Sequence, residues 1–218
     1  MSDLFELFRK IAAKPASTGA PTAIVCGLGN PGPEYVFTRH NAGFLAMDYF
    51  SQKLGAELKT AKFKALTTIT TIGGERVLLM KPQTYMNHSG EAVSAAAAYY
   101  KIPPEKIIVI SDDVCQAPGR MRIRKSGSDG GQKGLRSIIE HLGGEVFPRV
   151  KIGVGACPAG GEGMISWVLG RPEPSDRALI ALAQREAAEA PAAILAKGAD
   201  AAKERFNGFR VPDEKGAE

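Results

Sequence analysis

Asn30, His40, Asn87 and Asp112 are the side chains of this 218-residue sequence whose chemistries combine into a reaction. A histidine held by a carboxylate can take a proton from water near neutral pH. Carboxamide N–H groups can bind the oxyanion that forms when water attacks a carbonyl. With no obvious nucleophilic serine or cysteine beside them, the set implies hydrolysis of an activated acyl bond, an ester more readily than an amide, without a metal. Singly, each residue has a plainer reading: a loop histidine, a turn asparagine beside Pro31, a residue ahead of a helix, an aspartate in a surface turn. His88, at a helix entrance, and His141, at a helix exit before Gly143 and Gly144, read as structural.

The elements that must bring the four together are strands followed by loops. Strand TAIVCGL runs into the Gly/Pro-rich loop that carries Asn30, Tyr35, His40 and Asn41, and a helix with Phe44, Met47, Phe50 and Leu54 on one face begins only near Asn41. The runs 64–72 and 75–81, around Gly73 and Gly74, read as a hairpin that ends at Pro82 and delivers Tyr85, Met86 and Asn87. Ser89 is placed to cap the following alanine-rich helix. KIIVISDDV reads as a buried central strand delivering Asp112 and Asp113, then come an irregular charged segment with a short strand RMRIRK, helix LRSIIEHL and strand RVKIGVG. Residues 175–206 form a long helical stretch interrupted at Pro191. Open α/β sheets bind ligands past the C-terminal ends of their strands, where these loops lie. The expected fold is α/β: a single-domain three-layer sandwich, a mixed and mostly parallel sheet flanked by helices. Residues 21–206 form this domain. Residues 1–20, an amphipathic turn or two followed by the linker PASTGAP, are an appendage, and 207–218 a polar, frayed tail.

Gly27, Gly29 and Gly32 match the G-x-G-x-x-G spacing of a dinucleotide-binding turn. That turn must open a helix at its second and third glycines, so that free N–H groups meet the pyrophosphate. Here Pro31 and Pro33 bracket Gly32, the helix waits until Asn41, and no acid stands at the end of a second strand. Dinucleotide binding is rejected, and the common nucleotide-hydrolase, zinc-protease and serine-hydrolase motifs are absent from the sequence. A net charge of +5 favours an anionic partner without defining one. Cys26, Cys115 and Cys157 are odd in number and scattered, which fits neither a disulfide framework nor a zinc site and agrees with a reducing cytoplasm. No apolar run reaches the roughly 18–20 residues of a membrane span.

Taken together, GLGNPGPEYVFTRHNAGF, KPQTYMNHSGEAV and SDDV…PGRMRIRKSGSDGGQKGL resemble bacterial peptidyl-tRNA hydrolase, and the likeness runs in order over residues 22–206, through RVKIGVG and a WVLGRP turn. The resemblance implies a metal-independent, cofactor-free, usually monomeric esterase that frees tRNA from peptides left by abortive translation. It makes His40 the general base and Asp112 the carboxylate that orients it. It gives Asn30 the task of telling a peptidyl from a free aminoacyl group, and Asn87 that of positioning substrate or water. Tyr35, Asn41, Tyr85 and Met86 would line the cleft, with Tyr85 where the family commonly has phenylalanine. Arg120, Arg122, Arg124, Lys125, Lys133 and Arg136 become a tRNA-phosphate surface, sequence-independent and salt-sensitive. Gln132 and Lys133 stand where the family commonly has His-Asn, Ser111 replaces a common histidine, and Cys115 an often acidic position. The alternatives are a noncatalytic RNA-binding relative of the same fold and a small hydrolase indifferent to tRNA.

Overall fold

The computed structural model describes residues 19–159, 161 and 163–211. The appendage expected over 1–20 lies almost wholly outside the described residues, as do 212–218. Seven described strands form one sheet: β1 Ala23–Gly27, β2 Thr60–Lys62, β3 Ala65–Ile72, β4 Glu75–Pro82, β5 Ile107–Asp113, β6 Met121–Arg124 and β7 Arg149–Gly153. The six described helices are α1 Ala42–Lys53, α2 Ser89–Tyr100, α3 Lys133–Leu142, α4 Met164–Leu169, α5 Pro174–Ala187 and α6 Ala190–Phe206.

The strand order is β2-β3-β4-β1-β5-β7-β6. The four middle strands β4, β1, β5 and β7 are mutually parallel, while β2, β3 and β6 add antiparallel edges. Strand alternation divides the core into two apolar layers. Val25, Leu79, Ile108 and Ile110 meet α1, α5 and α6, whereas Ile24, Cys26, Leu78 and Val109 meet α2 and α3. The result is the expected three-layer α/β sandwich.

Local chemistry explains where the elements depart from expectation. Ser89 does not cap α2: a 3-10 turn, Met86–His88, precedes the helix, and Ser89 is its first residue, donating its hydroxyl to the Met86 carbonyl at 2.9 Å. The WVLGRP turn is helical over Met164–Leu169, a six-residue helix too short to leave a periodic signature. Strand β2 joins β3 through Phe63 and Lys64, both at positive φ, positions where such turns ordinarily carry Asn-Gly, so nothing in the residue types announces it. The long C-terminal stretch breaks between Ala187 and Ala190, leaving Pro191 in the first turn of α6, where its missing N–H costs nothing, and it kinks again at Gly198. Residues 207–211, placed in the tail by sequence, bond to the sheet edge: Asn207 accepts from the Ile123 N–H, and the Val211 N–H donates to Gly119.

Two close crossings set the helices that carry the site. A Cβ at Gly43 would lie 2.3 Å from the Ile110 carbonyl and 2.6 Å from that of Leu28, so α1 starts directly against the ends of β1 and β5. A Cβ at Gly90 would lie 2.1 Å from the Ser137 carbonyl, so α2 rests directly on α3 and brings the turn Met86–His88 against the start of α3.

Candidate active site

The C-terminal ends of β4, β1 and β5, neighbours in the sheet, deliver three loops to one cleft of about 390 Å³. From the β1 loop, His40 sits in a 3-10 turn, Arg39–Asn41, and its Nδ1 lies 2.9 Å from Oδ2 of Asp112 at the end of β5. Both residues are buried, 7% and 2% exposed, so the pair is shielded from bulk water on all sides but the cleft. Burial alone would favour the neutral imidazole; the charge and hydrogen bond of Asp112 outweigh it, so the pKa of His40 lies above the ordinary 6.5, with Lys133 pulling it back down.

Asn30 is fixed at three points. Its N–H donates to Asn41 Oδ1 at 2.8 Å, its carbonyl accepts from Asn41 Nδ2 at 3.0 Å, and its side-chain Oδ1 accepts from the Met86 N–H at 2.8 Å. The last bond ties the β1 loop to the β4 loop and leaves the Asn30 NH₂ as the group with donor capacity to spare. Asn30, Tyr35, His40, Tyr85, Met86, Asn87, Asp112 and Lys133 all line the cleft, as expected. Asn41 does not. It is 2% exposed and both ends of its amide bond the Asn30 backbone, so it holds the loop.

The basic residues Arg122 and Arg124 of β6, and Lys125 just after it, lie outside the cleft. Arg122 donates to Asp113 Oδ2 at 3.1 Å, Lys125 pairs with Asp200 at 3.2 Å, and Arg124 is exposed on the edge strand. The loop before α3 is fastened from beneath: the buried Arg149 donates to the carbonyls of Gly127 and Glu145, and Asp129 accepts from Arg136 at 3.0 Å.

Three features of the site were not foreseen. Gln132 donates from Nε2 to Asp112 Oδ1 at 3.0 Å, while its Oε1 accepts from the Leu135 N–H at 2.8 Å as the cap of α3. The cap fixes which end of the amide faces the carboxylate, so Asp112 is held at both oxygens, by His40 and by Gln132. Lys151, in mid-strand on β7, is 8% exposed, lines the cleft and lies 3.5 Å from Asp113. Finally, Met164, Ile165, Val168 and Leu169 of α4 form an apolar wall. A lysine in a strand reads as solvent-facing, and partners distant in sequence leave no local signal; only the Gln-Lys departure at 132–133 marked the place of Gln132.

A sequence model of the family described as Peptidyl-tRNA hydrolase matches residues 24–214. The chain belongs to the peptidyl-tRNA hydrolase family. A peptidyl-tRNA hydrolase of Moorella thermoacetica is 50% identical over 185 residues, covering 84% of this chain and 97% of that protein. One from Clostridium novyi is 46% identical over 188 residues, covering 86% and 99%. The crystal structure of peptidyl-tRNA hydrolase from Acinetobacter baumannii matches with a TM-score of 0.82 at 34% identity, covering 89% of this chain and 99% of that one. In this peptidyl-tRNA hydrolase family member, Gln132 caps α3 and Lys133 opens it, beside the three converging loops.

Proposed function

We propose that the cleft hydrolyses peptidyl-tRNA by a water that His40 activates. The carrying observation is the buried 2.9 Å contact between His40 Nδ1 and Asp112 in a chain of this family. With Nδ1 committed to Asp112, Nε2 is the nitrogen that takes the proton of water as its oxygen attacks the ester carbonyl. Asp112 then stabilises the imidazolium, which returns the proton to the departing 3′ ribose oxygen. The Asn30 NH₂ donates to the carbonyl of the blocking group, an amide that a free aminoacyl ester lacks, and Asn87 and Lys133 meet the reacting end of the substrate. Tyr35, Tyr85 and Met86 wall the peptide. Arg122, Arg124, Lys125 and Lys133 hold tRNA phosphates without reading bases, so affinity falls with ionic strength. The reaction uses no metal or cofactor, and the enzyme acts as a monomer in the cytoplasm, where translation supplies its substrate. No helix among the described residues is long and apolar enough to cross a membrane.

The direct test compares N-acetyl-aminoacyl-tRNA with the unblocked aminoacyl-tRNA. Release from the blocked substrate alone is expected. tRNA binding with no release from either would make the chain a noncatalytic RNA-binding relative, and salt-insensitive cleavage of small esters would make it a general hydrolase.

The pH dependence has a defined sign. His40 must be neutral to act as base, so kcat/KM rises with pH through its pKa, and the acid limb lies above the ordinary 6.5. Asp112→Asn removes the partner that raises that pKa and moves the limb to lower pH on top of a lower rate. Lys133→Ala removes a charge that opposes protonation and moves it to higher pH, by an amount that shrinks with salt. Limbs moving in the same direction in both variants would contradict the assignment.

A further inference from the structure

Arg39, beside the proposed base, is 4% exposed and is absent from the cleft lining. Its guanidinium carbon lies 3.6 Å from the centroid of the Trp167 ring, and Nη1 donates to the Arg171 carbonyl at 3.0 Å and the Trp167 carbonyl at 3.4 Å. Its backbone N–H donates to Gly170 at 3.1 Å. Every one of these contacts falls on the C-terminal end of α4 or the two residues that follow it. A helix ends in carbonyls without helical partners, and a cation is the group that suits them. Six residues are also far too few for a helix to stand without tertiary ties. The opposite tie is the Trp167 indole N–H, which donates to the Gly155 carbonyl beyond β7 at 2.9 Å. The other side of α4 supplies the apolar wall Met164, Ile165, Val168 and Leu169.

We propose that Arg39 is a positioning residue: it locks α4 to the turn that carries His40, and thereby sets the distance between the base and the wall that receives the side chain of the esterified amino acid. Arg39 acts through α4 and touches no reacting atom. The wall has no charged group on α4, so it favours an apolar side chain next to the ester. The inference rests on the proposed reaction, and the two fail differently.

The experiment measures kcat and KM for N-acetyl-leucyl and N-acetyl-glycyl groups carried on one and the same tRNA. Wild type is expected to favour the leucyl ester by ~10-fold in kcat/KM, from the worth of an apolar side chain in an apolar pocket. In Arg39→Lys, which keeps the charge but loses the fork and the stack, that preference falls to about twofold. The loss lies mainly in KM for the leucyl ester, and the pH limb stays in place. Trp167 is the chain's single tryptophan, so acrylamide quenching of its fluorescence reports the seating of α4 and should rise. Trp167→Phe, which removes the Gly155 bond and weakens the stack, supplies the same comparison if Arg39→Lys does not fold. Equal losses on both esters, as from a merely destabilised protein, overturn the proposal, and so does an unchanged preference or a wild type that favours neither ester. A wild type that cleaves neither ester instead defeats the assigned reaction.

Discussion

His40→Ala is expected to lower kcat for N-acetyl-aminoacyl-tRNA by roughly 10²- to 10⁴-fold, the usual worth of a positioned general base. The geometry calls for a loss in kcat with little change in KM. The imidazole is buried against Asp112 and has one nitrogen left for the substrate, whereas the proposed binding groups are Asn30, Tyr85 and Met86 of the cleft and the basic surface. Removing the ring leaves Asp112 held by Gln132 alone. That carboxylate cannot reach the place of Nε2, so no second base takes over. A melting temperature near that of wild type would show that the loss is chemical. A rate within a few-fold of wild type with an intact fold would remove His40 from the mechanism and leave the buried ion pair as a structural tie.

Gly43→Ala is the second large effect, and it acts through the fold. The added methyl group would meet three backbone atoms, the Ile110 carbonyl at 2.3 Å, the Leu28 carbonyl at 2.6 Å and the Leu28 nitrogen at 2.7 Å. None of these can rotate away as a side chain can, so α1 must lift from the strand ends. The Phe44 N–H to Leu28 carbonyl bond, now 3.0 Å, stretches with it. Overpacking of this kind costs about 3 kcal/mol or more, a large part of the ~5–15 kcal/mol that holds a typical domain together. The urea midpoint should fall with its slope unchanged. Because α1 begins directly after the His40 turn, the residual folded fraction should also turn over more slowly per molecule. A wild-type midpoint would show that α1 does not rest on the ends of β1 and β5.

Much of this was legible in the sequence, for physical reasons. Strands buried on both faces leave continuous apolar runs such as TAIVCGL and KIIVIS, and loops past parallel strand ends carry polar residues, so Asn30, His40, Asn87 and Asp112 could be picked out together. Gly27 has a packing role, since a Cβ there would meet the Gly43 carbonyl at 2.5 Å, and the helix after the loop opens at Ala42, near the Asn41 that the sequence marked. What stayed hidden depends on partners far apart in sequence. Asn41 looked like a ligand group because nothing local reveals that its amide is spent on Asn30. Lys151 could not be singled out because Asp113, on the adjacent strand, cannot be seen from β7. Helix α4 was read as a turn because its stability comes from Arg39, 128 residues away from Trp167.

The position of β1 bears on how the protein is made. It is the first described strand to leave the ribosome and lies in the middle of the sheet, between β4 and β5. At a synthesis rate of ~5–20 residues per second, its first neighbour β4 is complete only several seconds later, and β5 later still. Until β4 is made the apolar segment Ala23–Gly27 has both hydrogen-bonding edges open, and the edge that β5 covers stays open longer. The nascent chain therefore carries a sticky central strand until β5 has followed it, and a synthesis pause before β5 would lengthen the time in which it can pair with the wrong chain or be held by a chaperone.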